Sequence, residues 1–438
     1  MNNSTHVVTL FPQEPMHQQL RVNKQRRKHA VSHSLNDIDR SDAGLTSIEG
    51  AQSVIQEISK RHKFTGLILG HNKLGDAGCT ALFDYLSSPD GQKHPIRQVS
   101  LNSNSVGNDG LYAIASYLEG NRHTQELFLQ NGDGLGTILA RAVNRSHLQI
   151  LSLTMNPGLG DPFLSAFLAD LDSPFLRELH LSAMNLSSAC LPAISTFISS
   201  DRCHLQTLKC NGNYLGLRVV RSIVQTVERH NFSLLTVEMH SNQLAGSATD
   251  AEDGQGTWTD AERLLRSVLL RNDFLQRQVQ HDALRLLYYS RSLLCASKRT
   301  RSSSASDTPC DACSSSSSSS APTSPPPLPL EILQHILSYF APTLSTAQRL
   351  RVFRFATDPS TLPPLRDCVQ CVPDPMSYGT ALPRKNVWVL SDSGNVNGRG
   401  CTSGKCMGGA NSIVCHRERE RVSWLARVGC ERYECKQL

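Results

Sequence analysis

Between Phe64 and Leu244 one phrase recurs seven times: L-x-x-L-x-L followed by an Asn near the ninth position. The copies are FTGLILGHNKL from Phe64, IRQVSLNSNSV from Ile96, TQELFLQNGDGL from Thr124, LQILSLTMNPGL from Leu148, LRELHLSAMNL from Leu176, LQTLKCNGNYL from Leu205 and LLTVEMHSNQL from Leu234. Their fourth positions (Leu67, Val99, Leu127, Leu151, Leu179, Leu208, Val237) are 24 to 32 residues apart. A period of that length implies stacked units, none of which can bury its apolar face without its neighbours.

Each unit has room for a short strand and a full helix. The residues between phrases show helical spacing: Leu111, Ile114, Ala115 and Leu118 in one unit, Phe163, Phe167, Leu168 and Leu171 in another, Val220, Ile223, Val224 and Val227 in a third. Apolar side chains three or four residues apart share one helix face. The expected class is α/β, a solenoid with a curved parallel sheet inside and helices outside. The pattern resembles the ribonuclease-inhibitor-like class of leucine-rich repeat proteins over residues 64–246.

The recurring Asn72, Asn104, Asn156, Asn213 and Asn242 form a column of identical polar side chains. At a strand-to-helix bend the backbone polar groups lose their ladder partners, and a buried amide satisfies them in each coil, so the column reads as structure. Repeats three and five carry Gly132 and Met184 at that place, with Asn131 and Asn185 displaced by one, and irregular bends are expected there.

With 438 residues, 39% of them apolar and 19% charged, the chain can bury a substantial core. The expected organisation is a disordered basic tail (1–40), an N-terminal capping helix (41–63) with Val54, Ile55 and Ile58 on one side, the seven repeats (64–246), C-terminal capping helices (247–297), a Ser/Pro-rich linker (298–327), a helical segment (328–357) and a cysteine-containing, largely disordered tail (358–438). No transmembrane stretch is present, and Pro12, Glu14, Pro15 and His17 interrupt the one run near the start that could serve as a signal-peptide core, so a cytoplasmic or nuclear location is expected. In that compartment the 14 cysteines are expected as thiols. Cys79, Cys190 and Cys210 fall on or beside repeat core positions and act as small hydrophobes, while Cys368, Cys371, Cys401, Cys406 and Cys415 are read as ordinary thiols, with a zinc site completed by His416 as the sharper reading against which the long gap from Cys371 to Cys401 counts.

A formal charge of +6 and a pI near 8.6 fall short of the basicity of a nucleic-acid-binding domain. The basic runs Lys24–Lys28 and Lys298–Arg301 are read as solvated, with nuclear import as the sharper reading. No G-x-x-x-x-G-K loop, H-E-x-x-H pair or G-x-S-x-G elbow is present, so no enzyme, cofactor or metal centre is expected. Glu178, His180, Lys209, Asn211, Glu238 and His240 occupy outward positions on or just after the last strands, and the concave face of those three repeats is the expected contact surface for a protein partner.

The segment Leu328-Pro329-Leu330-Glu331-Ile332-Leu333-Gln334-His335-Ile336-Leu337-Ser338-Tyr339-Phe340 opens with a Pro at a position helices tolerate. Ile332, Leu333, Ile336, Leu337 and Phe340 then form a stripe that needs a surface to cover. This resembles the opening helix of an F-box, and Leu350–Phe355 is similar to that motif's closing part. The resemblance implies a Skp-type adaptor of a cullin ubiquitin ligase, contacted through Leu328, Pro329, Ile332, Leu333, Ile336, Leu337 and Phe340, while the repeats hold a substrate protein. The repeat class also includes Ran GTPase-activating proteins, so stimulation of a small GTPase is the alternative expectation, with a plain scaffold as the fallback. No membrane or nucleic-acid partner is expected.

Overall fold

The computed structural model describes residues 37–61, 63–129, 136–244, 257–302, 328–361 and 413–434. By its contacts the chain divides into two compact units, one of Met1–Ile223 with Thr236–Trp258, the other of Val224–Leu235 with Thr259–Leu438.

The first unit carries one open, all-parallel sheet in strict chain order: β1 (Asp37–Asp39), β2 (Gly66–Ile68), β3 (Gln98–Leu101), β4 (Glu126–Leu129), β5 (Ile150–Ser152), β6 (Glu178–His180), β7 (Thr207–Lys209) and β8 (Thr236–Glu238). Helices alternate with these strands: α1 (Ser47–Lys60), α2 (Gly75–Ser87), α3 (Asn108–Gly120), α4 (Gly136–Arg145), α5 (Gly160–Asp170), α6 (Leu191–Ser199) and α7 (Gly216–His230). The fourth positions pair directly across the sheet, Leu67 with Val99, then Leu127, Leu151, Leu179, Leu208 and Val237, and each is at most 8% exposed. Period-two alternation puts that column on the helix-covered face and its flanking residues on the other.

The sheet has one strand more than the seven phrases. Ile38 pairs with Leu67 and is fully buried, so the array starts at β1 and α1 is the helix of that first unit. The phrase is degenerate there because Arg40 stands where other repeats place Leu, and no Asn closes the bend. Asn72 of the next repeat compensates, donating to the Arg40 carbonyl at 2.8 Å and accepting from the Leu45 amide at 3.0 Å. On α1, Val54 and Ile58 are buried and Ile55 is half-buried.

The helical stripes read from the sequence are buried as spaced, with Leu111, Ile114, Ala115, Leu118, Phe163, Phe167, Leu168 and Leu171 all at most 4% exposed. Neighbouring repeats also cap each other. Asp76 in the first turn of α2 accepts from the Gly107 and Gly110 amides at the start of α3, at 2.6 and 2.9 Å. Asp161 in α5 accepts from the Ser187 amide at 2.9 Å and from its hydroxyl. A carboxylate that satisfies helix-terminal amides also lies favourably toward the positive end of the macrodipole.

The second unit is helical. α8 (Trp258–Ser302) is one continuous 45-residue helix, and it is followed by α9 (Leu330–Ser338), α10 (Thr346–Thr357) and α11 (Ile413–Arg427). At its start α8 closes residues 228–234: Arg271 donates to the carbonyls of Glu228 at 2.7 Å and Asn231 at 3.2 Å, and Asn272, fully buried, donates to those of Asn231 and Leu234. Farther along, Val279, Ala283, Leu286 and Leu294 of α8 share a core with Leu337, Ala341, Leu344, Val352 and Phe353, and with Leu425, Val428 and Cys430. The last three fall in the tail expected to be largely disordered, with Leu425 and Val428 on its one stretch, residues 421–428, whose spacing suggests a short helix. Their side chains are at most 2% exposed, because residues 424–434 supply both apolar groups and hydrogen-bond partners to α10. Arg351 reaches the Val428 carbonyl at 2.7 Å and the Glu434 carboxylate at 2.6 Å, and Gln348, fully buried, donates to the Gly429 and Arg432 carbonyls. Residues 303–327 of the Ser/Pro-rich linker and the cysteines from Cys368 to Cys406 lie outside the described residues.

Candidate protein-binding surfaces

The asparagine column is a hydrogen-bonding spine buried between coils. Asn213 donates to the Leu181 and Cys210 carbonyls at 2.9 and 3.0 Å and accepts from the Met184 and Leu186 amides at 2.9 and 3.2 Å. Asn156 and Asn242 donate in the same manner to carbonyls of their own and the preceding repeat. All five column members are at most 5% exposed, so none offers its amide to a ligand.

The fifth bend, expected to be irregular, keeps the common backbone. Ala183, one residue ahead of Met184, has φ 53°, beside 59° at His71, 55° at Ser103, 64° at Met155 and 57° at Ser241. The left-handed residue before the column shapes the bend, and the Asn213 amide of the following repeat satisfies the backbone around Met184, so an apolar side chain is tolerated in the column. Asn131 and Gly132 lie outside the described residues.

On the opposite sheet face, β6–β8 and their exit loops bring the expected contact residues together. His180 Nε2 lies 3.3 Å from a Glu178 carboxylate oxygen on the same strand. Lys209 Nζ of β7 is 3.4 Å from Glu238 of β8. Asn211 donates through Nδ2 to the second Glu238 oxygen at 2.9 Å and accepts from the His240 amide at 2.8 Å, while the Asn211 amide donates to Ser182 Oγ at 3.1 Å. The hydrogen bond from His180 holds the Glu178 carboxyl below its ordinary range, with partial burial opposing it. This is a polar lattice, half-buried except at His240, whose side chains hold one another in place. Sequence reading missed Ser182 and, of the first-position row ahead of each buried leucine, took Glu178 but passed over Glu126 and Ile150. Strict alternation along each strand would have flagged all three.

The α9 stripe divides. Leu337 is fully buried, and Leu333 and Phe340 pack partly against the helical core, with the Phe340 ring 4.7 Å from Tyr289 and the Arg285 guanidinium over it. Ile332 and Ile336 are 47% and 41% exposed, Leu328 and Pro329 are exposed, and so are Leu330 and Tyr339. The stripe is wider than the one surface α9 covers within its unit: Leu333, Leu337 and Phe340 meet the helical core, and Ile332 and Ile336 do not.

Burial pushes the Cys79, Cys190 and Cys430 thiols up to about 12, and the Cys210 thiol up as well, so these act as apolar filling. Among the described residues no three His, Cys, Asp or Glu side chains converge as a metal site, and no helix is long and apolar enough to cross a membrane.

Two comparisons bear on this arrangement. A leucine-rich repeat family model matches residues 62–83 and 92–115. The chain is also similar to NACHT, LRR and PYD domains-containing protein 5 of Mus musculus, 27% identical over 192 residues, which are 42% of this chain and 16% of that protein. With protein 3 of the same series from Rattus norvegicus it is 28% identical over 185 residues, 39% of this chain and 17% of the relative. The chain thus spans about a sixth of the length of these relatives. Eight parallel strands in chain order, helices on one face, a shared register of buried leucines and a matching repeat model together support placing the array among leucine-rich repeat proteins.

Proposed function

We propose that this chain is a non-catalytic interaction protein that holds a protein partner on the open sheet face of β6–β8 and presents α9 to a Skp-type adaptor of a cullin ubiquitin ligase. Leucine-rich repeats generally bind proteins and are generally non-catalytic, and the lattice of Glu178, His180, Lys209, Asn211, Glu238 and His240 suits that use: it offers donors and acceptors but no nucleophile paired with a base.

The observation that carries the adaptor half is the outer side of α9. Ile332, Ile336 and Tyr339, at i, i+4 and i+7 on one side, are 41% to 72% exposed, with Leu328 exposed just ahead of the helix, while Leu337 anchors the same helix to its own core. A contiguous apolar surface on an anchored helix is a docking surface. The decisive measurement is binding of the full chain to a purified Skp-type adaptor. Ile332→Asp and Ile336→Asp should each abolish binding without loss of helicity, because both side chains point away from the core. Absence of binding by the wild type would remove the ligase role and leave a scaffold. For the sheet face, a photo-cross-linker in place of Asn211 should capture the partner, and a failure to capture any protein would count against that half.

A further inference from the structure

The turn between α9 and α10 is held from two sides. Thr343 donates to the Asp282 carboxylate of α8 through its amide at 3.1 Å and its hydroxyl at 2.6 Å. Two residues on, Ser345 is the N-cap of α10 and closes a capping box with Gln348, and its hydroxyl donates to the Glu434 carboxylate at 2.5 Å. The first hold comes from the neighbouring helix. The second comes from a segment that residues 362–412 separate from α10 along the chain.

Residues 428–434 meet α10 through backbone carbonyls and one carboxylate. Ser345, Gln348 and Arg351 stand three residues apart, on one side of that helix. Gln348, fully buried, donates to the Gly429 carbonyl at 3.1 Å and the Arg432 carbonyl at 2.8 Å. Arg351 donates to the Val428 and Gly429 carbonyls at 2.7 and 3.2 Å and to the other Glu434 oxygen at 2.6 Å. From α8, Gln276 donates to the Glu431 carbonyl at 2.8 Å. Gly429 is required on two counts: its φ is 62°, and a Cβ there would lie 2.9 to 3.1 Å from atoms of the Arg351 guanidinium. The side chains of α10 therefore select a left-handed glycine followed five residues on by a carboxylate.

We propose that residues 424–434 are a latch that governs the presentation of α9. Docked, they fix the N-cap of α10 and with it the turn that orients α9; released, they free that turn. Leu337, the anchor of α9, shares its core with Leu425, Val428 and Cys430, so release also opens the core behind the helix. The inference rests on the reading of α9 as the adaptor surface. Because the docking is noncovalent, a partner that captures the latch withdraws α9, and the same segment supplied as a separate peptide restores it.

The test is hydrogen exchange of the full-length protein, read at residues 330–345 and, for comparison, along β2–β7. Gly429→Val denies the latch its left-handed residue and its approach to Arg351. It should speed exchange at residues 330–345 by roughly tenfold or more and leave the sheet unchanged. A synthetic peptide of residues 413–434, in excess, should return the exchange to the wild-type rate, and combining Gly429→Val with Arg351→Met should abolish that rescue. Glu434→Gln, which keeps the backbone, should give a smaller rise of roughly threefold. Adaptor binding should fall and recover in step with the exchange. Unchanged exchange in Gly429→Val, a rise that the peptide does not reverse, or equal adaptor binding by the wild type and Gly429→Val would each overturn the latch. The expected exchange pattern without adaptor binding by the wild type would support the latch and remove the adaptor reading instead.

Discussion

The repeat array and the helical C-terminal unit bury apolar side chains by opposite routes. In the array every buried leucine meets a neighbour about one period away in the chain, Leu151 beside Leu127 and Leu179, and the same contact is made again in the next coil. In the helical unit Leu286 of α8, Phe353 of α10 and Val428 share one core although they are scattered over about a third of the chain. Local repetition divides stability among many similar interfaces, whereas a single non-local core depends on each contributing segment.

That contrast is broken most severely by deleting residues 413–438. The loss of Leu425 and Val428, each roughly 1.5–3 kcal/mol of burial, together with the smaller Cys430 and the Arg351–Glu434 and Gln348 contacts, should unfold the helical unit. Limited proteolysis should then cut within residues 330–357 while the sheet unit survives. Survival of both units intact would mean that the distant segment is dispensable and the contrast false.

A single truncation inside the array is the next largest effect. Leu179→Ala, in the buried column of β6, should cost about 2–5 kcal/mol in urea unfolding, with its neighbours unable to fill the space. The asparagine spine sharpens the picture further. Asn213→Ala strands the Leu181 carbonyl and two amides, the Cys210 carbonyl keeping its bond from Asn242, and should cost about 2–4 kcal/mol. Asn242→Ala should cost less, since the buried Asn242 Oδ1 has no hydrogen-bond partner to lose. Equal losses at the two positions would show that only the donated bonds matter.

The smallest effect is electrostatic. Because the folded-state pKa of Glu178 is lowered, its contribution is present above the ordinary carboxylate range and is lost as pH falls through the lowered value. Glu178→Gln should therefore flatten the acid limb of the stability profile by less than about 1 kcal/mol, the usual ceiling for a partly exposed pair. A change on the alkaline side instead would point to a different group.

The same contrast explains what could be read in advance. The phrase spacing locates β2 to β8 and their helical stripes, because in a stack the sequence neighbour is also the spatial neighbour. It passes over β1, where Arg40 replaces the sixth-position leucine and an amide from the next repeat does the local work. It misjudges Met184, since the left-handed residue ahead of it, not the asparagine, shapes the bend. The contact residues of β6–β8 are visible as outward strand positions, but their pairing is not: Asn211 meets Glu238 only because two strands come into register.

What the amino-acid sequence determined by itself is the repeating unit, its α/β alternation and the column of buried leucines and asparagines, all set by residue spacing within one period. What only the tertiary structure decided is the enlistment of residues 424–434 into a core with α8 and α10 and the division of the α9 stripe into an anchored and an open side. Those features depend on contacts between distant segments, and on which of several equally apolar faces a helix turns inward, and no local pattern specifies either.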